Sequence, residues 1–115
     1  MLKREATILF NLKHKNIIYL LGIVEPWDFE TWLVTEYCNK GNLKDFLNKE
    51  TPSVFVRLQI AIDIASGLHY LHSQGIVHFD VKPANILIHE ASEKDPLCLK
   101  IADFGLATYV KDIDI

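Results

Sequence analysis

The chain has 115 residues, half of them apolar, and a formal net charge of −3 at pH 7. This length and composition predict one globular domain rather than a disordered chain. Lysines and arginines are scattered without a basic stripe, which argues against nucleic acid as a partner. Cys38 and Cys98 are far apart and no leading segment resembles a signal peptide, so we expect a cytoplasmic location without disulfides. The apolar runs look too short to span a bilayer, so no membrane segment is expected.

The first predicted element is a helix over residues 2–13. Glu5, Leu9 and Leu12 follow one another at i, i+4 and i+7, the spacing of one helical face. A buried carboxylate on that face needs a cationic partner, and no obvious partner is nearby in sequence. The alternative places Glu5 at the solvated edge of the apolar stripe.

A β-hairpin is predicted next. Residues 16–24 and 31–37 are rich in β-branched and aromatic residues, and Pro26 and Asp28 supply turn chemistry between them. A short helix should follow, with Asn42 as its N-cap and Asp45 completing an approximate capping box.

The longest predicted helix begins with Thr51 as N-cap and Pro52 at its first position, and Gly75 is placed to end it. Its apolar residues surround most of the helix, so we expect it to be covered on several sides. The last third of the chain predicts two short strands joined by a polar loop.

Polar residues cluster at the ends of these strands, in "IVHFDVKPANILI" and "ADFG". Asp80, Asn85 and Asp103 are hard oxygen donors that suit Mg²⁺, which completes its coordination with water and phosphate. Asp80 with Lys82 could place a proton acceptor beside a cation that stabilises a transferring phosphate. The pattern suggests a metal-nucleotide site, although each residue alone could be a turn or capping residue.

"HFDVKPAN" resembles the catalytic loop of protein kinases, and "ADFG" resembles their magnesium-binding motif. "EATILFNLKHKNIIYLLGIV" resembles the kinase αC helix and the following strand, and "LVTEYCNKGNLKDFL" resembles the hinge and the next helix. The resemblance implies an α+β, partial protein-kinase-like fold. Residues 1–37 would be the small-lobe part from αC through the hinge strand. Residues 38–115 would be the large-lobe part through the start of the activation segment.

The resemblance also implies ATP and Mg²⁺ as cofactors and a protein as substrate. Asp80 would be the catalytic base and Lys82 a contact to the transferred phosphate. Asn85 and Asp103 would bind magnesium. "DVKPAN" resembles serine/threonine kinases through Lys82, whereas "VTEYCNKGNLKDFL" and "REATIL" resemble tyrosine kinases and their relatives. We favour a serine or threonine acceptor.

Further residues receive roles from the same resemblance. The nucleotide would be contacted by the gatekeeper Thr35, the backbone of Glu36 and Cys38, Asp45 near the ribose, and Leu87 beneath the adenine. Glu5 would be the αC carboxylate. A stacked column would connect αC with the catalytic loop through Leu9, Leu20, His78 and Phe104.

The histidines allow two interpretations. His78 is interpreted as a buried structural residue rather than an acid or base. His69 and His72, three residues apart on a helix, could bind a metal together with His78, but a fourth ligand is missing.

Phe79 departs from the family pattern, since most relatives have an arginine that pairs with a phosphorylated residue of the activation loop. We hypothesise that activity does not depend on phosphorylation through this position; a packing substitution is the alternative. The glycine-rich loop and the lysine partner of Glu5 are not in the sequence, so we expect the isolated chain to be inactive and to bind nucleotide weakly. A non-catalytic kinase-like scaffold and a truncated gene product without independent activity remain alternatives.

Overall fold

A computed structural model describes residues 2–25 and 30–114. The predicted turn residues Pro26 and Asp28 lie outside this part of the chain. The helices are α1 (Leu2–Phe10), α2 (Leu43–Lys49) and α3 (Val54–Ser73). The strands are β1 (Leu20–Val24), β2 (Trp32–Thr35), β3 (Ile76–Val77), β4 (Ile86–His89), β5 (Cys98–Ile101) and β6 (Thr108–Tyr109). Short 3₁₀ helices cover Pro83–Asn85 and Val110–Asp112. The α+β class is confirmed.

The predicted hairpin forms between β1 and β2, but its first strand is shorter than expected. The antiparallel pairing begins at Leu20 and is interrupted by a bulge before Gly22. Residues 16–18 pair instead with the end of β5. The Ile101 N–H donates to the Asn16 carbonyl at 2.8 Å, and the Ile18 N–H donates to the Ile101 carbonyl at 3.0 Å. Competition from a distant strand therefore shortened the hairpin, which the sequence pattern could not show.

Side chains cap the starts of α2 and α3. Asn42 Oδ1 accepts the Asp45 N–H at 2.9 Å, which confirms the predicted cap of α2. The Asp45 carboxylate accepts from the Asn42 side-chain amide at 3.3 Å, rather than from its backbone as in a capping box. The predicted cap of α3 was wrong by two residues. Ser53, not Thr51, accepts the N–H three residues ahead at 3.2 Å, so Pro52 precedes the helix.

Strands β4 and β5 form the predicted second hairpin, with Ile86 opposite Ile101. This pair ends the ladder, so the residue before β4 lies next to the residue after β5. The Ala102 N–H donates to the Asn85 carbonyl at 2.9 Å. The two polar clusters therefore meet at one end of the hairpin, as the sequence predicted.

One face of α3 lies along the open edge of β5. Gln59 Nε2 donates to the Leu97 carbonyl at 2.6 Å, and Asp63 Oδ2 accepts the Leu99 N–H at 3.0 Å. These helix side chains satisfy backbone groups that another strand would otherwise pair with. Asp63 is buried, although the sequence pattern placed only apolar residues in this core.

Gly67, on the same face of α3, allows the closest approach between the helix and the sheet. A Cβ at this position would lie 2.8 Å from Ile101 Cδ1 and 2.9 Å from the Asn16 carbonyl oxygen. The absence of a side chain is therefore required by packing. No feature of the local sequence identifies this requirement.

A second face of α3 is exposed within the described residues. Phe55, Leu58 and Ile62 are 78%, 57% and 64% exposed, so the cover expected on several sides is only partly present in the described chain. By length and composition this helix could also cross a membrane, contrary to our expectation that the apolar runs were too short. The core helices of soluble proteins reach the same length and hydropathy.

Candidate functional site

His78 organises the loop that precedes β4. Its ring is buried, its Nδ1 accepts the Asp80 N–H at 3.0 Å, and its Nε2 lies 2.8 Å from the Ala102 carbonyl. A carbonyl can only accept, so Nε2 carries the proton of a neutral imidazole. The ring also contacts Phe104 edge to face, with centroids 4.9 Å apart. Neither ring nitrogen is free for metal binding or proton transfer, and His69 and His72 are exposed on α3.

Asp80, Lys82 and Asn85 form one polar network. Asn85 Nδ2 donates to the Asp80 carbonyl at 2.9 Å and to its carboxylate Oδ2 at 3.0 Å. Lys82 Nζ lies 3.7 Å from Asp80 Oδ1. The Asp80 carboxylate is therefore held by an amide on one oxygen and has a cation beside the other. Pro83 begins the single 3₁₀ turn that places Asn85 within reach of Asp80.

Two oxygens at this end of the hairpin could bind a cation. The amide nitrogen of Asn85 makes both contacts to Asp80, and among the described residues its Oδ1 accepts no hydrogen bond. Asp103 uses one carboxylate oxygen to accept the Gly105 N–H at 3.2 Å, and its other oxygen accepts no bond within the same part of the chain. These hard oxygen donors fit Mg²⁺.

Phe79 and Asp103 have backbone φ angles of 68° and 56°, in the left-handed region that non-glycine residues seldom adopt. Each such residue costs of order 1 kcal/mol and persists only where its surroundings hold it. Here the hydrogen bonds of Asp80 and Gly105 hold the neighbouring backbone. The strain is therefore concentrated beside the carboxylates of the candidate site.

Glu5 has a partner that the sequence did not suggest. Its Oε1 accepts the Phe104 N–H at 3.1 Å, and the described side chains place no cation on it. Burial raises the pKa of this half-buried carboxyl; the Phe104 N–H opposes the shift and the nearby Asp103 charge adds to it. Neither the buried ion pair nor the solvated edge describes it, because a backbone N–H satisfies the carboxylate.

A charged junction joins β2 to β5. Lys100 Nζ lies 3.0 Å from Glu36 Oε1 and 2.9 Å from the Lys15 carbonyl. The same Glu36 oxygen accepts the Tyr19 N–H at 3.0 Å, and the Glu36 N–H donates to the Tyr19 carbonyl at 2.9 Å. Three segments distant in sequence are therefore fastened at Glu36. Sequence analysis missed Lys100 because no local pattern identifies its partners.

The segment after Glu36 leaves backbone groups available. Within the described residues, the Cys38 N–H has no acceptor, whereas its carbonyl accepts the Gly41 N–H at 3.4 Å. Cys38 is buried, and burial is the main cause that raises the pKa of its thiol. Thr35 Oγ1 donates to the Glu36 carbonyl at 3.3 Å.

The family profile described as "Protein kinase domain" matches residues 1–114. The chain belongs to the protein kinase family.

Similar kinases come from plants and animals. The chain is 38% identical over 106 residues to the serine/threonine/tyrosine-protein kinase HT1 of Arabidopsis thaliana, covering 90% of this chain and 26% of that protein. It is 37% identical over 121 residues to the human serine/threonine-protein kinase ULK1, covering 96% of this chain and 11% of that protein. The chain thus spans about a quarter or less of the length of these curated relatives.

In this kinase domain, the remaining predicted residues lie in two groups. Leu9, Leu20 and Phe104 are buried in the core, and His78 is buried against Phe104. Leu87 forms an isolated bridge with Asn42, the residue that caps α2, and Asp45 is exposed in the first turn of that helix.

A cavity of about 750 Å³ lies away from the loop that carries Asp80, between α2, the start of α3 and the loop before β5. Asp45 lines it together with Phe46, Phe55 and Leu97, whereas Asp80, Asn85 and Asp103 do not. It is therefore distinct from the predicted metal-nucleotide site, even though one predicted ribose contact lies at its wall.

Proposed function

We propose that this kinase domain, within the protein that contains it, transfers the γ-phosphoryl group of ATP to serine or threonine hydroxyls of proteins. The observation that carries the proposal is the network in which Asn85 holds the Asp80 carboxylate while Lys82 lies beside it. Phosphoryl transfer depends mainly on positioning and charge stabilisation, and this network can supply both.

In the proposed mechanism, Asp80 orients the acceptor hydroxyl and accepts its proton. The amide of Asn85 restrains the carboxylate through Oδ2, which leaves Oδ1 as the oxygen closer to Lys82. Lys82 is more than half exposed, so its ammonium group can approach a phosphate on the substrate side. The cation would stabilise the negative charge on the transferred group.

Asn85 and Asp103 would hold Mg²⁺ through the oxygens that other described groups leave free. When bound, the ion neutralises charge on the phosphates. The Glu36 carbonyl and the Cys38 N–H would bind the edge of the adenine. Thr35 and Leu87 would border the ring and Asp45 the ribose.

The acceptor is proposed from two observations. Lys82 follows Asp80 by two residues, as in the serine/threonine kinases that "DVKPAN" resembles. ULK1 is named a serine/threonine kinase, whereas the name of HT1 also includes tyrosine. We therefore propose serine or threonine as the main acceptor, with tyrosine as the alternative that an assay must compare.

Phe79 supports a proposal about regulation. Its side chain is uncharged and 58% exposed, so it cannot pair with a phosphorylated residue. Activity should therefore not depend on activation-loop phosphorylation through this position. Loss of activity after phosphatase treatment, together with no effect of Phe79→Arg, would contradict this proposal.

A cytoplasmic location is proposed as well, without nucleic acid or a membrane as partner. Both cysteines are free thiols, which fits a reducing compartment. Cell fractionation of the endogenous protein tests the location; recovery with membranes would point to α3 or to further sequence as an anchor.

The activity test uses the natural protein that contains this chain, with its terminal peptides first identified by mass spectrometry. Purified protein with Mg²⁺-ATP is assayed on matched serine, threonine and tyrosine peptides. Asp80→Asn keeps the shape of the side chain but removes the base, so activity should fall by about 10²-fold or more. Asp95→Asn, in the exposed loop before β5, is the matched control and should leave activity unchanged.

One result would favour the scaffold alternative. Wild-type protein that binds Mg²⁺-ATP or a partner without transferring phosphate would indicate a non-catalytic scaffold. For residues 1–115 alone we propose no turnover and weak nucleotide binding, as expected of a truncated product. A clear rise in Tm with Mg²⁺-ATP that Asp103→Ala abolishes would overturn the binding half of that statement.

A further inference from the structure

Two adjacent residues of α1 hold the segment that follows Asp103. Glu5 accepts the Phe104 N–H at the start of this segment. Arg4 reaches its other end, where Nη2 donates to the Ala107 carbonyl at 2.9 Å and to Thr108 Oγ1 at 2.8 Å. The helix is thereby bonded to both ends of residues 104–108, across about a hundred positions of sequence.

Thr108 links this contact to the catalytic loop. Its hydroxyl donates to the Leu106 carbonyl at 3.1 Å and so presents its oxygen to Arg4 as an acceptor. Its backbone belongs to β6, where Thr108 pairs with Val77 of β3. Val77 immediately precedes His78, whose ring holds the Asp80 N–H. A continuous set of bonded residues therefore leads from α1 to Asp80.

The contact of Arg4 with Ala107 and Thr108 requires no charged group besides the guanidinium itself. Both acceptors of the Arg4 guanidinium are neutral oxygens already present in the chain. Lys111 lies over the Tyr109 ring at 5.4 Å to the centroid, but it makes no bond to α1 in the described structure. Arg4 is thus the cation through which α1 holds this segment, as far as the described side chains show.

We propose that Arg4 and Thr108 are positioning residues for phosphoryl transfer, which together fasten α1 to the segment after Asp103 and thereby fix the loop that carries Asp80. This inference rests on the proposed function, because it assigns a catalytic consequence to the contact. Neither residue touches substrate in this role. Their loss should reduce kcat, while ATP binding at the separate hinge backbone is preserved.

The test compares Arg4→Met, Thr108→Val and the double variant in the natural protein, with kcat and the KM for ATP measured separately. Each single variant should lower kcat about tenfold to a hundredfold, the range for a hydrogen bond to a charged group. The KM for ATP should stay within about twofold. The double variant should be no worse than the poorer single variant, because both changes break the same bond.

Two control variants separate positioning from a general structural role. Thr108→Ser keeps the hydroxyl and should retain kcat, whereas Val, which keeps the branched shape and suits a strand, should not. Lys111→Met removes a cation from the same segment without touching α1 and should leave kcat unchanged. Unchanged Tm in all variants would show that folding is preserved.

Hydrogen exchange at residues 104–110 provides a readout that does not require activity. Amides there should exchange faster in Arg4→Met and Thr108→Val than in wild type or Lys111→Met. A kcat within twofold of wild type in both single variants, or losses that add in the double variant, would overturn the proposal. If wild-type protein transfers no phosphate, the proposed function fails and the positioning role with it, while faster exchange would still establish the contact.

Discussion

The loop before β4 and the exposed apolar face of α3, its outer face, differ in whether their side chains find partners. In the loop, His78 uses both ring nitrogens and Asn85 holds Asp80 at two points, all within the described residues. On α3, Phe55, Leu58 and Ile62 stand mostly in solvent. The polar contacts that hold His78 and Asp80 are therefore made within the described residues, whereas much apolar area of α3 is not covered there. An exposed apolar face of this kind usually marks an interaction surface.

The contrast shows that site geometry and stability depend on different parts of the molecule. Hydrogen bonds fix atoms at set distances and must be made by particular groups. Hydrophobic burial is non-directional, so any apolar surface can cover α3 without altering the loop. We therefore expect substitutions among the hydrogen-bonded residues to lower the free energy of unfolding of this chain far more than substitutions on the outer face of α3.

The largest effect is expected for His78→Leu. Leucine would leave the Asp80 N–H and the Ala102 carbonyl without partners in a partly buried position. Each unsatisfied buried group costs about 1–3 kcal/mol, so the free energy of unfolding should fall by about 3 kcal/mol or more. Denaturant unfolding measures it, and exposed His69→Leu on α3 is the control. A loss under about 1 kcal/mol would show that the loop does not depend on this imidazole.

A smaller loss of stability is expected for Gly67→Ala, which tests the face of α3 that packs against β5. Alanine is favoured over glycine in helices by about 1 kcal/mol, but the new Cβ would collide with Ile101 and the Asn16 carbonyl. Overpacking costs about 1–3 kcal/mol, so the net change should be destabilising. Gly22→Ala meets no atom within 4 Å and serves as the control. A more stable Gly67→Ala variant would refute the close packing.

The pH dependence of Glu5 sharpens the comparison, because this carboxyl accepts the Phe104 N–H and so belongs to the hydrogen-bonded residues. Its pKa is raised in the folded chain by burial, so the folded state binds the proton more tightly than the unfolded state. Stability from this group is therefore fully present below the ordinary pKa of a glutamate, 4.5, and is lost as pH rises through the raised pKa of the folded chain. In residues 1–115, Glu5→Gln should remove this decline while still accepting the Phe104 N–H. An identical pH profile for both proteins between pH 4 and 7 would contradict the assignment.

The smallest effect is expected for Leu58→Gln on the outer face of α3. Because this leucine is exposed, the free energy of unfolding of residues 1–115 should change by no more than about 0.5 kcal/mol. Solubility should improve as the apolar patch shrinks. The same substitution in the natural protein tests whether the outer face of α3 is buried there. A loss of about 2 kcal/mol there would show that further sequence or a partner buries this face.

Local signals in the sequence predicted much of the fold, and contacts between distant residues account for what it missed. Asn42 was identified as a cap because the cap and its acceptor lie three residues apart. The shortened β1 could not be foreseen, since Ile17 pairs with Ile101.

The candidate site divides in the same way. The loop residues Asp80, Lys82 and Asn85 are close in sequence, and the β4–β5 hairpin brings Asp103 to them, so their proximity was predictable. Arg4 and Lys100 bond to residues far away in the chain, and no local pattern indicates such partners. The Glu5 partner was missed for another reason, because a backbone N–H leaves no trace in residue type.

The contact between α3 and β5 sets a limit on how this domain can change in length. Four helical residues advance about 6.0 Å and two strand residues advance about 6.6 Å. Over two such repeats, Gln59, Asp63 and Gly67 therefore lie beside alternate residues of the strand. Each repeat adds a mismatch of about 0.6 Å, which a longer contact could not absorb. One residue inserted between Gln59 and Gly67 would rotate the rest of the face by about 100° and break the correspondence. Length variation among relatives should therefore be confined to the loops, and this stretch of helix should tolerate exchange of residues but neither insertion nor deletion.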